Sequence, residues 1–110
     1  MDKFEEYLQQ IGDDENVELR NFVRNSLTDD KTISWMQCVS SHGYPAVMEL
    51  GRIIKDHLEL EKIDDNDKRI IGKAVRACME INDYEFIKTG VNVPPPNLFR
   101  TGAIYKPKKK

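Results

Sequence analysis

The sequence predicts an all-α protein: a small bundle of about five short helices, followed by an extended, basic C-terminal arm that contains prolines. Three observations support this fold class. Charged residues make up 33% of the 110 residues and aromatic residues only 8%, a balance typical of a small, well-solvated helical fold. Apolar residues recur at helical spacing over most of residues 1–88. Three consecutive prolines, Pro94 to Pro96, then exclude a further helix because they lack N–H donors and restrict the residues before them.

The first two helices are predicted from apolar side chains that fall on one face. In helix one the i, i+3, i+4, i+7 spacing is occupied by Phe4, Tyr7, Leu8 and Ile11. Gly12 then suits the left-handed stop of that helix. Helix two is expected over roughly residues 14–27, because the acidic residues 13–15 lie where a helix dipole favours negative charge. Its apolar stripe consists of Leu19, Phe22, Val23 and Leu27.

Helices three and four are expected on either side of a polar turn. Residues 28–30 repeat the start signal, and a short third helix then runs to a break at residues 40–43. Pro45 suits the first turn of helix four, where its missing N–H would have no partner in any case. The apolar spacing continues from there to Leu58. The pair resembles a helix-turn-helix in outline, but helix four mixes acidic and basic residues on its exposed side, which favours an ordinary solvated surface or a protein partner.

The fifth helix is expected to begin at Asp64 and to reach Ile81. Its buried side contains Ala74, Ala77 and Cys78, small residues that permit a close approach to a neighbouring helix. Beyond this helix the pattern weakens, and Tyr84, Phe86 and Ile87 are expected to cover the bottom of the core. The sequence therefore places a helical domain at residues 1–88 and an extended arm at residues 89–110.

Charge is divided unevenly along the chain. All 19 acidic residues lie at or before Glu85, so residues 1–88, with 12 basic and 19 acidic side chains, carry a net charge of −7. The remaining 22 residues carry only five positive charges. No apolar run follows the N-terminus, so we expect no membrane association and a cytoplasmic location. In that reducing compartment Cys38 and Cys78 are expected to be free thiols.

No pattern in the chain predicts catalysis, a cofactor or a small-molecule substrate. The nucleophile, phosphate-binding and metalloprotease motifs G-x-S-x-G, G-x-x-x-x-G-K and H-E-x-x-H do not occur, so we expect a non-enzymatic protein. Four residues formally permit a zinc site, namely Cys38, His42, His57 and Cys78. The 20-residue separation of His57 from Cys78 departs from the usual close pairing of ligands, so no metal site is predicted.

The arm is too apolar for a passive linker. Disordered tails are depleted in aromatic and β-branched residues, whereas residues 91–105 are rich in both, so we expect the arm to be ordered. The arm has two possible docking surfaces, which are the acidic body of its own chain and another subunit or partner. The leading hypothesis is an adaptor or regulatory module that docks through the arm into a larger protein or nucleoprotein assembly. The predicted partner-binding residues are Leu98, Phe99, Arg100, Ile104, Tyr105 and Lys106.

Nucleic-acid binding is the alternative hypothesis. Helix five carries Arg69, Lys73 and Arg76 at i, i+4, i+7, which places three cations on one face. The arm that follows alternates aromatic and basic residues, which can stack on bases while neutralising phosphates. The full predicted set is Arg69, Lys73, Arg76, Arg100, Lys106, Lys108, Lys109 and Lys110. The net negative charge of the body opposes this reading, because duplex-binding domains are usually basic overall.

Overall fold

The computed structural model describes residues 3–12 and 16–108. Its elements in chain order are α1 (Lys3–Gln10), α2 (Val17–Leu27), α3 (Asp30–Ser41), α4 (Val47–Leu58), α5 (Asp65–Ile81), β1 (Tyr84–Asn92) and β2 (Thr101–Pro107). Helix accounts for 58% and strand for 16% of this structure. The prediction of five helices is confirmed. The prediction of an all-α fold is wrong, because the chain after α5 forms a two-stranded antiparallel sheet and the protein is mixed α/β.

Side chains at the helix starts explain where three of the helices begin. The side-chain oxygens of Asn16, Asp29 and Asp64 each accept a hydrogen bond from a backbone N–H two or three residues further on. These bonds satisfy donors that a first helical turn otherwise leaves without a partner. Gly12, with φ of +72°, lies in the left-handed region just after α1. Residues 13–15, the acidic start predicted for helix two, lie outside the described residues.

The two strands form a hairpin with an unusual connection. Phe86 lies opposite Tyr105 in the antiparallel ladder, and register shifts interrupt the pairing on either side of Lys88. The connection contains three prolines and is closed by a hydrogen bond of 2.8 Å from the N–H of Val93 to the carbonyl of Arg100. Residue 89, where the sequence places the start of the arm, lies within β1.

The hairpin escaped sequence analysis for a physical reason. Short turns with glycine or asparagine are the strongest local signal for paired strands. Here the strands are joined by a proline-rich connection, which by itself predicts extended, unpaired chain. Tyr84 and Phe86 do pack against the core as expected, whereas Ile87 is exposed. The sequence did not indicate that all three belong to a strand paired with one that begins only at Thr101.

The hairpin packs against the helical body of its own chain. The N–H of Ala46 donates to the carbonyl of Ala103 at 3.1 Å, and the N–H of Tyr105 donates to the hydroxyl of Ser40 at 2.7 Å. The connection and β2 also contribute side chains to the hydrophobic core, namely Val93, Leu98, Phe99 and Tyr105. The core is therefore shared between the helices and the C-terminal segment.

Among the helices, α1 packs on α5, while α2 and α3 pack on α4. The N–H of Gly12 donates to a carboxylate oxygen of Asp67 at 3.0 Å, which joins the end of α1 to the first turn of α5. This arrangement leaves one side of α5 facing the hairpin and another side facing α1. Within residues 3–12 and 16–108, no helix has both the length and the apolar character needed to cross a membrane.

Candidate functional site

A cleft opens between α5 and the hairpin, with a volume of about 350 Å³. The charged side chains that line it all come from α5 and are Lys68, Arg69, Lys73 and Arg76. Thr89 on β1 and Thr101 on β2 also line the cleft. Among the described residues, no aspartate or glutamate lines it. A concave surface with charges of one sign focuses the electric field, so this cleft favours an anion.

The helical period of α5 explains why the cations lie together. Ile70, Ile71 and Ala74 are buried in the core, whereas Arg69 and Lys73 are exposed on the other side of the helix. Arg69 and Lys73 are four residues apart and so occupy neighbouring positions on the exposed side. The hairpin then approaches this side of the helix and turns an ordinary basic stripe into a concave site.

Two of the four cations already have carboxylate partners. Lys68 lies 3.7 Å from Asp65, and Arg76 lies 3.2 Å from Glu80. Both carboxylates are exposed, and exposed ion pairs of this kind contribute about 0–1 kcal/mol. Such pairs are weak enough for a bound polyanion to compete with them.

Arg69 and Lys73 take part in none of the ion pairs that the described residues form. Arg69 donates from Nη2 to the side-chain oxygen of Asn66 at 2.7 Å, a neutral partner that leaves its charge uncompensated. The Lys73 ammonium lies 5.9 Å from the centre of the Tyr7 ring, within the range of a cation–π interaction. These two exposed cations are therefore the side chains of the cleft best placed to meet an anion.

Aromatic residues form part of the wall of the cleft. The Arg76 guanidinium lies 4.3 Å from the centre of the Phe86 ring, which in turn meets Tyr105 edge-on with ring centres 6.2 Å apart. Burial raises the pKa of Tyr105 from 10.0 to about 12, although the Arg76 charge acts in the opposite direction. The phenol is therefore neutral at physiological pH and adds no negative charge to the site.

The six predicted partner-binding residues divide into two groups. Leu98, Phe99 and Tyr105 are at most 5% exposed and belong to the chain's own core. Arg100 and Lys106 are exposed, and Ile104 is half-buried. Lys106 pairs with Glu85 across the hairpin at 3.4 Å. Most of the apolar side chains that were predicted to dock on a partner are thus buried within the molecule itself, whereas the charged residues next to them are exposed.

The predicted nucleic-acid residues are also only partly brought together. Arg69, Lys73 and Arg76 line the cleft, whereas Arg100 and Lys106 do not. Lys108 donates from Nζ to the carbonyl of Glu80 at 3.1 Å, at the C-terminal end of α5. Residues 109 and 110 lie outside the described residues.

Sequence reasoning missed three polar residues of the cleft, Lys68, Thr89 and Thr101. Lys68 had a local signal, because it lies eight residues before Arg76, close to two helical turns away on the same side of α5. The two threonines had none. They reach the cleft only through strand pairing, which the sequence does not reveal.

A groove of about 740 Å³ lies among α2, α3 and α4, where Trp35 is 51% exposed, but its border mixes acidic and basic side chains. Across residues 3–12 and 16–108 no three His, Cys, Asp or Glu side chains come together in a way that could hold a metal ion. The two cysteines are separate free thiols, Cys38 exposed and Cys78 buried.

Comparison with known proteins gave no match to a protein-family model, to a curated protein or to a solved structure. The properties of the cleft therefore carry the functional argument.

Proposed function

We propose that this is a non-enzymatic binding protein that contacts the phosphate backbone of nucleic acid through the cleft between α5 and the hairpin. The observation that carries the proposal is the charge of the lining: four cations, with no carboxylate among the described lining residues. Arginine and lysine supply most of the affinity of proteins for phosphate backbones, because each neutralised phosphate releases condensed counterions.

The build of the cleft supports this function in two further ways. Arg69 and Lys73 have no carboxylate partner among the described residues, so binding to them breaks no ion pair. Thr89 and Thr101 provide hydroxyl groups beside the cations, and hydroxyls are frequent donors to phosphate oxygens. A single cleft thus combines charge with directional hydrogen-bond donors.

The net negative charge of residues 1–88 does not exclude this binding. At an ionic strength of 0.1 M the Debye length is about 10 Å, so exposed carboxylates farther from the ligand than this are largely screened. Asp65 and Glu80 are each compensated by a cation of the cleft. The local field at the cleft is therefore set by its own lining. The acidic residues elsewhere on the protein limit the contact to a short stretch of the phosphate backbone.

The test is the anisotropy of a fluorescein-labelled, single-stranded 15-mer oligodeoxynucleotide, titrated with protein at 50 and 200 mM salt. Four phosphate contacts predict a slope of log K against log salt of about −2.8, which is a loss of about 50-fold between these concentrations. Replacing two cations, in the double variant Arg69→Gln/Lys73→Gln, is expected to make the slope shallower by about 1.4.

A charge-matched control separates the cleft from a general charge effect. Lys31→Gln/Lys55→Gln removes two positive charges from α3 and α4, outside the cleft, and is expected to leave the salt slope unchanged. Equal losses in the two double variants, or no anisotropy change at 50 mM salt, would contradict the proposal.

Docking into a larger protein or nucleoprotein assembly is a second candidate function. It is favoured by the outward position of Arg100 and Lys106 on the hairpin beside half-buried Ile104. Arginine is enriched at interface positions that dominate binding energy. The buried Leu98 and Phe99 would then support this surface from beneath.

A pull-down with the full chain tests this second candidate. A protein retained by wild type and by Trp35→Ala, but lost from Arg100→Ala, would locate the partner on the hairpin. Retention that is insensitive to Arg100→Ala would exclude this residue as an anchor. The Trp35 control is apt because that side chain is exposed in the groove among α2, α3 and α4.

A further inference from the structure

A second opening lies on the other side of the basic stripe, between α1 and α5. This crevice has a volume of about 580 Å³, within the size range of small-ligand sites. Its apolar lining residues are Phe4, Tyr7, Ala77 and Ile81. Ile81 is 62% exposed, the highest value among the large apolar side chains of the described residues. The crevice therefore presents apolar and aromatic side chains to solvent, bordered by the charged side chains of Lys3, Lys73, Arg76 and Glu80.

Lys73 and Arg76 border both the crevice and the cleft. They are three residues apart on α5 and so lie on the same side of the helix, as a ridge between the two openings. Each cation lies over an aromatic ring on a different side of the ridge: Lys73 over Tyr7 in the crevice, and Arg76 over Phe86 in the cleft. A phosphate held on the ridge thus has a basic cleft on one side and an aromatic crevice on the other.

We propose that the nucleic acid is single-stranded and that one of its unpaired bases stacks against Tyr7 in the crevice while Lys73 and Arg76 hold the adjacent phosphates. This inference rests on the proposed function and names its ligand class. The bases of a duplex are enclosed in their own stack, whereas every base of a single strand offers a π face to an aromatic side chain.

The length of the basic row agrees with a short single-stranded footprint. Eight residues separate Lys68 from Arg76, which is about 12 Å along the axis of α5. A row of that length reaches only a few successive phosphates of one strand. A single base in the crevice therefore accounts for only one nucleotide of the bound segment.

The experiment compares three fluorescein-labelled probes at 50 mM salt: an oligo-dT 10-mer, an abasic 10-mer with the same sugar-phosphate backbone, and a 10-base-pair duplex. Wild-type protein is expected to bind the dT probe about tenfold more tightly than the abasic probe, because stacking on a side chain contributes that much per base. Tyr7→Leu is expected to reduce dT binding to the abasic level and to leave abasic binding unchanged. The matched control Tyr44→Leu, at a 43% exposed tyrosine outside the crevice, is expected to change neither.

Ile81→Ser provides a second variant should Tyr7→Leu fail to fold, because this side chain is mostly exposed and its loss leaves the core intact. It is expected to weaken dT binding more than abasic binding. Equal affinity of wild type for the dT and abasic probes, or tighter binding of the duplex, would overturn this inference while leaving phosphate binding in place. If none of the three probes binds, the proposed function itself fails and this inference fails with it.

Discussion

The hydroxyl of Ser40 on α3 accepts a hydrogen bond from the backbone N–H of Tyr105 on β2, at 2.7 Å and across 65 residues of chain. Both residues are less than 5% exposed. A buried N–H without a partner costs free energy, so the hydroxyl of Ser40, together with the hydrogen bond from Ala46 to Ala103, helps to fix how the hairpin packs against the helices. The cleft depends on that seating, because the hairpin forms one of its two walls.

Replacing Ser40 with alanine is expected to lower the free energy of unfolding by about 1–3 kcal/mol, since the Tyr105 N–H then stays buried without an acceptor. The measurement is urea unfolding followed by circular dichroism. The adjacent Ser41 is the matched control, because its exposed hydroxyl bonds only to the carbonyl of Gln37 in the same helix and Ser41→Ala is expected to stay within about 0.5 kcal/mol of wild type. Equal effects of the two substitutions would show that the buried bond contributes nothing specific.

Truncation after Gly90 is expected to unfold the protein. It removes Val93, Leu98, Phe99 and Tyr105, all at most 7% exposed, and burial of each such side chain contributes about 1.5–3 kcal/mol. Their sum approaches the 5–15 kcal/mol that holds a typical domain together. Thermal melting followed by circular dichroism checks this, with a chain ending at Lys108 as the control expected to melt like wild type. A cooperative transition at the wild-type temperature in the shorter chain would mean that the hairpin is dispensable for the core.

The helices could be predicted because their signals are local. Asp29 and Asp64, predicted from sequence to lie at helix starts, cap α3 and α5. The spacing of Arg69 and Lys73 predicted the basic wall of the cleft, which is half of it. The other half of the cleft depends on the pairing of β1 with β2, and no short turn in the sequence indicates that pairing. The pairing of strands that are distant in sequence does not show as a periodic pattern in the residues that flank either strand.

The aromatic residues of the arm show the same limit. Composition predicted an ordered arm, and Phe99 and Tyr105 are buried in the structure, but composition could not say which surface would cover them. Burial against the body of the same chain and burial in a partner use identical residues. Contacts in the structure, such as the hydrogen bond from Tyr105 to Ser40 and the packing of Phe99 beside Gly51, distinguish the first arrangement.

The two thiols are expected to differ in reactivity. Cys38 is exposed, whereas Cys78 is 2% exposed and its Sγ donates to the carbonyl of Leu27 at 3.4 Å. Native protein should therefore react with one equivalent of a colorimetric disulfide reagent at pH 8, and protein in guanidinium with two. Native Cys38→Ser should not react at all. Rapid reaction of this variant without denaturant would show that the core around Cys78 opens readily.

Stability is expected to fall in alkali, partly through Cys78. Burial raises the pKa of this thiol from 9.0 to about 11, with its hydrogen bond from Asn82 acting in the opposite direction. A raised pKa means that the folded state retains a proton that the unfolded state releases, so the contribution is complete below pH 9 and disappears as the pH rises through 11. Urea midpoints measured from pH 8 to 11 should fall more steeply for wild type than for Cys78→Ala. Parallel curves would show that other groups cause the alkaline loss.

Replacing each of two helical glycines with alanine is expected to change the stability of the protein in opposite directions. A Cβ at Gly51 on α4 would collide with the side-chain oxygen of Asn97 and lie 2.8 Å from a ring carbon of Phe99. Gly51→Ala must therefore displace the connection between the strands, and it is expected to lower the free energy of unfolding by about 1–3 kcal/mol. A Cβ at Gly72 on α5 meets nothing within 4 Å, and Gly72→Ala is expected to add up to about 1 kcal/mol through helix propensity. Urea unfolding of both variants beside wild type gives the comparison. Because both substitutions add the same methyl group to a helix, only packing against the hairpin can give them opposite signs, and a stabilising Gly51→Ala would mean that the connection does not lie against α4.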